Sequence, residues 1–375
     1  MEQNFYLSKL LGLKDNFSVK IISGVRGVGK TTLLKAFAEE LRAEGVAEEE
    51  IIFVDCAVDE RLKNFQAFYE FVEAKTAELE KFFLLADEMD CVVEGEKALN
   101  ALFVGTPAEI YVTASSESFV EKISALLPDN CDVLKIYPLS FSECEKNFPS
   151  EDALKNYLLF GGLPEVLGAD EKFLPRLVRG LTYEIMFDLV EKNSLARAET
   201  FRKILMTLAQ NVGKPLTLNR VLEILGDVNY TPSNKKYFKH CAALFRKIPR
   251  FDLKAEKFLA GAEKFYCVDN GILRALGQAD ENILIENAVC IELLRRGYSV
   301  SNGKFGSMNV TFVAERGAEK IFVQVPAASG ISIRRNVRPL RELTGDGEKI
   351  LITSKREKKF DGVTNIILRD FLTNV

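Results

Sequence analysis

A chain of 375 residues is too long for one ordinary hydrophobic core, so its length points to two or three domains. The composition, 47% hydrophobic and 28% charged, is that of a globular protein, and the longest apolar runs, such as 82–86, fall far short of the ~20 residues that span a bilayer. A single histidine, His240, argues against Ser-His-Asp and histidine-based metal chemistry, and seven cysteines without a C-x-x-C pair argue against both a zinc site and a disulfide framework.

The first residues lack the basic start and apolar core of a signal peptide, so the expectation is a cytoplasmic protein with no membrane partner. The net charge of −4 hides an asymmetry. Residues 39–97 carry 18 acidic groups against 6 basic ones, whereas 231–257 carry 8 basic against 2 acidic. An anionic partner is repelled by the first stretch and attracted to the second, so Lys235 to Lys257 is the region suited to DNA or to an acidic partner protein. The plainer reading is a solvated surface.

In chain order, short apolar runs at Val19–Ile22, Ile51–Val54, Phe82–Leu85, Ile110–Thr113 and Leu134–Tyr137 read as strands. Helix-period stretches at 31–42, 64–80, 96–103 and 118–126 separate them. The first helix has one apolar stripe: Leu33, Leu34, Phe37, Ala38 and Leu41. Five such strands alternating with helices make an α/β fold with a parallel sheet covered on both faces.

Between the first strand and helix lies Gly24-Val25-Arg26-Gly27-Val28-Gly29-Lys30-Thr31-Thr32, which fits G-x-x-x-x-G-K-[ST] in its proper setting. The glycines let backbone N–H groups close around phosphate oxygens, and the helix N-terminus adds its positive dipole end. Lys30 is placed to neutralise the β- and γ-phosphates of ATP, and the Thr31 hydroxyl to ligate Mg²⁺. The third strand ends in Asp87-Glu88, a Walker B pattern: Asp87 holds the metal and Glu88 polarises the attacking water. The fourth strand ends in Thr113-Ala114-Ser115-Ser116, which offers Thr113 or Ser115 as a polar sensor between the acidic pair and the γ-phosphate. The rival reading is that these hydroxyls only cap the next helix.

From 140 to 259 the pattern is helical, with segments at 151–160, 173–189, 199–211, 218–225 and 232–246. The last two helices, followed by a possible wing strand at 264–268, have the order of a winged helix-turn-helix. Beyond 265 comes a small α/β unit, with helices at 285–296 and 334–344 and strands at 298–301, 310–314, 320–325, 349–352 and 363–367. The divisions expected are 1–145, 146–264 and 265–375.

The phosphate loop, Asp87-Glu88, Thr113-Ala114-Ser115-Ser116, the phrase 137–143, Gly161-Gly162-Leu163-Pro164-Glu165, the phrase 264–271 and Ile285-Glu286-Asn287 occur in one order. That order resembles a prokaryotic family of AAA-superfamily ATP-binding proteins carrying a C-terminal domain of unknown function. The resemblance implies a P-loop ATPase sheet in strand order 5-1-4-3-2, a helical and winged-helix middle, and a C-terminal domain similar to PD-(D/E)xK nucleases. It also allows an oligomer. Relatives often carry Gly-Arg before the fifth strand; here 128–132 contains no arginine, which implies a slow ATPase or one completed by Arg26, Arg176 or Arg179. In the nuclease-like part, Thr311, Gln324 and Pro326 stand where a metal site needs charged residues, and only Glu286 remains. Nuclease activity is therefore expected to be absent, and Arg334, Arg335, Arg338 and Arg341 form a cluster suited to an anionic partner. The function expected is a slow Mg²⁺-dependent ATPase acting as a nucleotide-driven switch. The alternative is a DNA-binding regulator that uses ATP as a ligand without significant turnover.

Overall fold

The computed structural model describes residues 5–226, 232–326, 333–343, 346–353 and 360–373. It divides into two compact units: residues 1–136 with 185–196, and residues 137–184 with 197–375.

The first unit opens with α1 (Phe5–Gly12) and then alternates β1 (Val19–Ser23), α2 (Lys30–Ala43), β2 (Ile51–Asp55), α3 (Phe65–Thr76), β3 (Phe82–Asp87), α4 (Gly95–Gly105), β4 (Ala108–Ala114), α5 (Glu117–Leu126) and β5 (Cys131–Lys135). All four strand pairings are parallel, in the order β2-β3-β4-β1-β5, which is 5-1-4-3-2 counted from the other edge. β1 and β3 are buried along their whole length, which is why they read as continuous apolar runs. Helices α3, α4 and α5 cover one face through Phe68, Val72, Leu99, Leu102 and Ile123.

The fifth strand lies earlier than the apolar run 134–137 suggested. β5 is an edge strand paired only to β1, and its pattern is half-buried rather than apolar, so its strongest hydrophobic signal falls past its end.

The second unit carries α6 (Phe141–Asn147), α7 (Ala153–Phe160), the first part of α8 (Leu174–Lys192), α9 (Ala198–Gln210), α10 (Leu218–Ile224) and α11 (Pro232–His240). Next come β6 (Phe245–Asp252), β7 (Lys257–Cys267), α12 (Asn270–Ala275), α13 (Glu281–Arg295), β8 (Ser299–Phe305), β9 (Met308–Arg316), β10 (Glu319–Gln324), α14 (Ile333–Glu342), β11 (Glu348–Thr353), β12 (Thr364–Ile367) and α15 (Leu368–Thr373). These strands form one mixed sheet in the order β12-β11-β10-β9-β8-β6-β7. Val337, Leu340 and Leu343, in and just after α14, pack on β9–β11 through Val310, Val313, Phe322 and Leu351.

The region expected to be purely helical contains β6, and the helix expected to reach 246 stops at His240. Pro249 sits where the β6–β7 register shifts, between Ile248 and Arg250, so a bulge absorbs a residue that otherwise argues against a strand. The wing strand expected at 264–268 is the end of the longer β7. Residues 227–231, which join α10 to α11, and Thr344, expected to end the 334–344 helix, lie outside the described residues. Among the described residues no helix is long and apolar enough to cross a membrane.

The phrases that ran through the second unit's sequence meet in one buried polar knot. Asp269, 4% exposed, accepts hydrogen bonds from the Gly162 N–H at 2.8 Å and the Ile272 N–H at 3.0 Å. Asn287 donates to the Cys267 carbonyl and accepts from the Cys267 N–H, at 2.9 and 2.7 Å. Ser140 and Glu143 form a reciprocal capping box on α6. Gly162 has no room for a side chain, since a Cβ there would lie 2.1 Å from the Leu139 carbonyl oxygen.

Candidate functional site

The strand order decides which residues can meet. β1 and β3 are separated by β4, so the loop after β1 and the acids ending β3 flank the end of β4. Loops at the carboxyl edge of a parallel sheet are where such folds place their ligand groups.

The segment 24–29 leaves β1 and enters α2, whose first residue is Lys30. Gly24 must be glycine, because a Cβ would come 2.8 Å from the Ile136 carbonyl oxygen. Gly29 adopts φ +96°, a left-handed conformation that glycine accepts at little cost. Val25 and Val28 are buried and anchor the loop, while Arg26 and Thr32 face outward. Gly27 turns the loop with φ +81°.

Lys30 is 3% exposed. Its ammonium donates to the Val25 carbonyl at 3.3 Å and to Ser115 Oγ at 2.8 Å, and lies 3.2 Å from Glu88 Oε1. Thr31 Oγ1 donates to Asp87 Oδ2 at 2.6 Å. Thr113 Oγ1 donates to the other Asp87 oxygen, also at 2.6 Å, and accepts the Glu88 N–H at 2.7 Å. The structure therefore brings together Lys30, Thr31, Asp87, Glu88, Thr113 and Ser115. The two hydroxyls left open by the sequence divide: Thr113 orients the acids, and Ser115 contacts the lysine. Capping of α5 falls to Ser116, whose side chain accepts the Phe119 N–H.

The donors fit a small hard cation. Thr31 Oγ1 and Asp87 Oδ2 are uncharged and anionic oxygens already 2.6 Å apart, the type of set Mg²⁺ takes together with water and phosphate oxygens. Among the described residues the other grouping of possible ligands, Glu88, Asp90 and Cys91, is occupied by a lysine.

That lysine is Lys192, the last residue of α8, and no local sequence motif marks it. Residues 185–196 belong to the first unit. The Lys192 ammonium pairs closely with Glu88, lies 3.3 Å from Asp90 Oδ1 and 3.4 Å from Asp188 Oδ1, and also donates to Ser115 Oγ at 3.4 Å. Its side chain is only 7% exposed. Burial disfavours its charge, but the three carboxylates outweigh that and hold its pKa above the usual lysine range. Asp90 in turn accepts the N–H groups of Ser115 and Ser116 at 2.9 and 2.8 Å. Asp188 also faces Arg26, at 3.6 Å.

Glu88 sits between the two ammoniums. Burial raises its pKa, yet Lys30 and Lys192 together pull it down to about 2, so it is ionised. Its backbone lies at φ 52°, ψ 46°, a left-handed conformation that costs a non-glycine residue about 1 kcal/mol. The Thr113 hydrogen bond and the two ion pairs fix it there.

Other expected residues belong to the second unit. Arg176 and Arg179 are exposed on the part of α8 that belongs to the second unit. Thr311 and Gln324 join β9 to β10: the Thr311 N–H donates to Gln324 Oε1 at 3.2 Å, and Thr311 Oγ1 accepts the Val325 N–H at 3.1 Å. Pro326 follows β10, and Glu286 accepts the Tyr266 hydroxyl at 2.6 Å with Lys264 3.8 Å away. Arg334, Arg335, Arg338 and Arg341 are exposed on α14, Arg338 pairing with Glu342 at 2.5 Å.

Comparison with known proteins gives two family models along the chain: an AAA domain over residues 16–145 and a domain of unknown function, DUF8612, over 151–282. An uncharacterized protein of Haemophilus influenzae is 32% identical over 392 residues, covering 98% of this chain and 97% of its own. Solved structures with some likeness include the Aeropyrum pernix ORC2 protein in its ADP form, 12% identical with a TM-score of 0.34 over 76% of this chain and 92% of that one. A DNA polymerase III gamma subunit-related protein of Thermotoga maritima is 10% identical, with a TM-score of 0.29 over 76% and 98%. Scores this low support no functional parallel. Residues 16–145 of this chain match the AAA domain family, and the identity along nearly both full lengths places the chain in one family with the Haemophilus influenzae protein.

Proposed function

We propose that the first unit binds ATP with Mg²⁺ at the phosphate loop and hydrolyses it slowly, as a nucleotide-driven switch. The observation that carries this is the convergence of Lys30, Thr31, Asp87, Glu88, Thr113 and Ser115 at the carboxyl edge of β1, β3 and β4. Loop N–H groups and Lys30 bind the triphosphate; Thr31 with Asp87 would hold the metal, which would supply charge neutralisation there. Glu88 orients a water and accepts its proton, while Thr113 fixes the aim of both acids. Steady-state hydrolysis by the purified protein tests this. Turnover should fall by about 10²–10³-fold in Glu88→Gln with ATP still bound. Equal turnover in both proteins would defeat the assignment.

The reading extends to the rest of the chain. A division at 145/146 and 264/265 into ATPase, winged-helix-like and nuclease-like parts remains the proposed organisation, and the last part is read as non-cleaving because Thr311 and Gln324 are spent on strand pairing. The seven cysteines are free thiols, five of them buried, which suits a reducing cytoplasm.

One observation favours the second reading, a DNA-binding regulator. A groove of about 570 Å³ in the second unit is lined by Lys236, Lys239, Lys247, Phe238 and Leu218, among others. It lies where α10, α11 and the β6–β7 hairpin meet, with Leu216 bridged to Glu263 on β7. Lys235, which opens the basic run, is not described at its side chain. Fluorescence anisotropy with duplex DNA should show binding at low salt that weakens tenfold or more between ~50 and 200 mM salt. No binding at the lowest salt ends this reading.

A further inference from the structure

Four carboxylates crowd the phosphate loop: Asp87, Glu88, Asp90 and Asp188. Lys30 reaches only one of them, Glu88, as an ion pair. Lys192 reaches three, Glu88, Asp90 and Asp188, and shares with Lys30 both the Glu88 carboxylate and the Ser115 hydroxyl. A lysine side chain has four rotatable bonds, and burying one costs about 2 kcal/mol of rotamer entropy, so its fixed place here requires several simultaneous partners. It has them on every side. Asp188 stands one helical turn before it on α8, Asp90 is anchored by the Ser115 and Ser116 N–H groups, and Glu88 is fixed at its backbone by Thr113.

We propose that Lys192 is the positioning residue for Glu88, holding its carboxylate in the line on which it meets the attacking water. This rests on the ATPase reading above and adds to it a residue 104 positions away in sequence. Without the ammonium, Glu88 has Lys30 as its one cationic neighbour among the described residues, and Lys30 is the group that must also serve the phosphates. The carboxylate then keeps its Lys30 contact at Oε1 and loses the second anchor, at Oε2, that fixes its direction.

The test is a double-mutant cycle read by ATP turnover and by ATP binding. Lys192→Met keeps the length and removes the charge; it should lower kcat by about 10–100-fold, as expected for a misplaced catalytic group, while the Kd for ATP changes by a smaller factor. Lys192→Arg should restore most of the loss. In a Glu88→Gln background, Lys192→Met should cost nothing further, because it acts through the carboxylate already removed. Melting temperatures of all variants separate loss of fold from loss of position. An equal fold-loss from Lys192→Met in both backgrounds, or unchanged kcat in the single variant, overturns the proposal while leaving the ATPase reading standing. No turnover in the unaltered protein overturns both.

Discussion

Lys30→Ala is expected to weaken nucleotide binding by about two orders of magnitude. The Lys30 ammonium is buried at the head of α2 and already spends its three protons on Val25, Ser115 and the Glu88 side. These partners are a carbonyl, a hydroxyl and a carboxylate, all acceptors, and phosphate oxygens are acceptors of the same kind with more charge. Exchanging them for a triphosphate therefore needs no change in the lysine's chemistry, only in its direction. Truncation removes a charge-assisted contact worth about 1.5–3 kcal/mol and leaves the triphosphate facing Asp87, Glu88, Asp90 and Asp188 with Lys192 and Arg26 as the remaining cationic side chains beside any bound metal. The expected weakening is at least ~100-fold in Kd, measured by titration with a fluorescent ATP analogue and by calorimetry. The fold should survive, since Leu33, Leu34, Phe37 and Leu41 of α2 remain packed. Binding within a few-fold of the unaltered protein, with melting unchanged, would mean that the loop is not where the triphosphate sits.

How much of this site was legible follows from how local its chemistry is. Gly24, Gly29, Lys30 and Thr31 are contiguous, and their meaning depends only on a strand before and a helix after. Asp87 and Glu88 end a strand buried on both faces, and Thr113 and Ser115 end its neighbour, so alternation of strands and helices was enough to bring them to one edge. Lys192 was not legible in the same way. It lies far along the chain on a helix whose stripe, Ile185, Met186 and Leu189, reads as ordinary core packing. One signal was present: Asp188 and Lys192 fall at i, i+4 on that buried side, where a solvated pair does not belong. Lys20 is a second case, a lysine inside the apolar run of β1. It is 1% exposed and lies 3.4 Å from Glu109 on the neighbouring strand, a partner that only the pairing of β1 with β4 supplies. β6 escaped because Pro249 and its interleaved basic residues suppress the strand pattern, and its place is set by pairing to β7 and β8 instead.

Asp269→Ala is expected to cost the second unit about 3–5 kcal/mol, the largest stability effect of any single side chain in its polar knot. The aspartate is the N-cap of α12, taking the Ile272 N–H, and with its other oxygen it takes the Gly162 N–H from a segment 107 residues away. Alanine leaves both donors, the Ile272 N–H of the cap and the Gly162 N–H, buried and unpaired at about 1–3 kcal/mol each. The carboxylate in turn requires glycine at 161, where a Cβ would stand 2.1 Å from Asp269 Oδ1. Burial raises the Asp269 pKa above its ordinary value of 3.8, with the Gly162, Ile272 and Gly271 N–H groups and Arg295 acting against that rise. The sign follows: an acid whose folded pKa is raised favours folding most below 3.8, and its contribution falls as pH rises through the folded value. Asp269→Asn removes this pH dependence and keeps one of the two acceptors, so it should fall between the native residue and alanine. At roughly 2–4 °C per kcal/mol, the alanine variant should melt about 10 °C lower, by calorimetry or circular dichroism. An alanine variant that melts with the unaltered protein would show that the Gly162 and Ile272 N–H groups find other partners, and that the two phrases meeting at Asp269 are held together by packing alone.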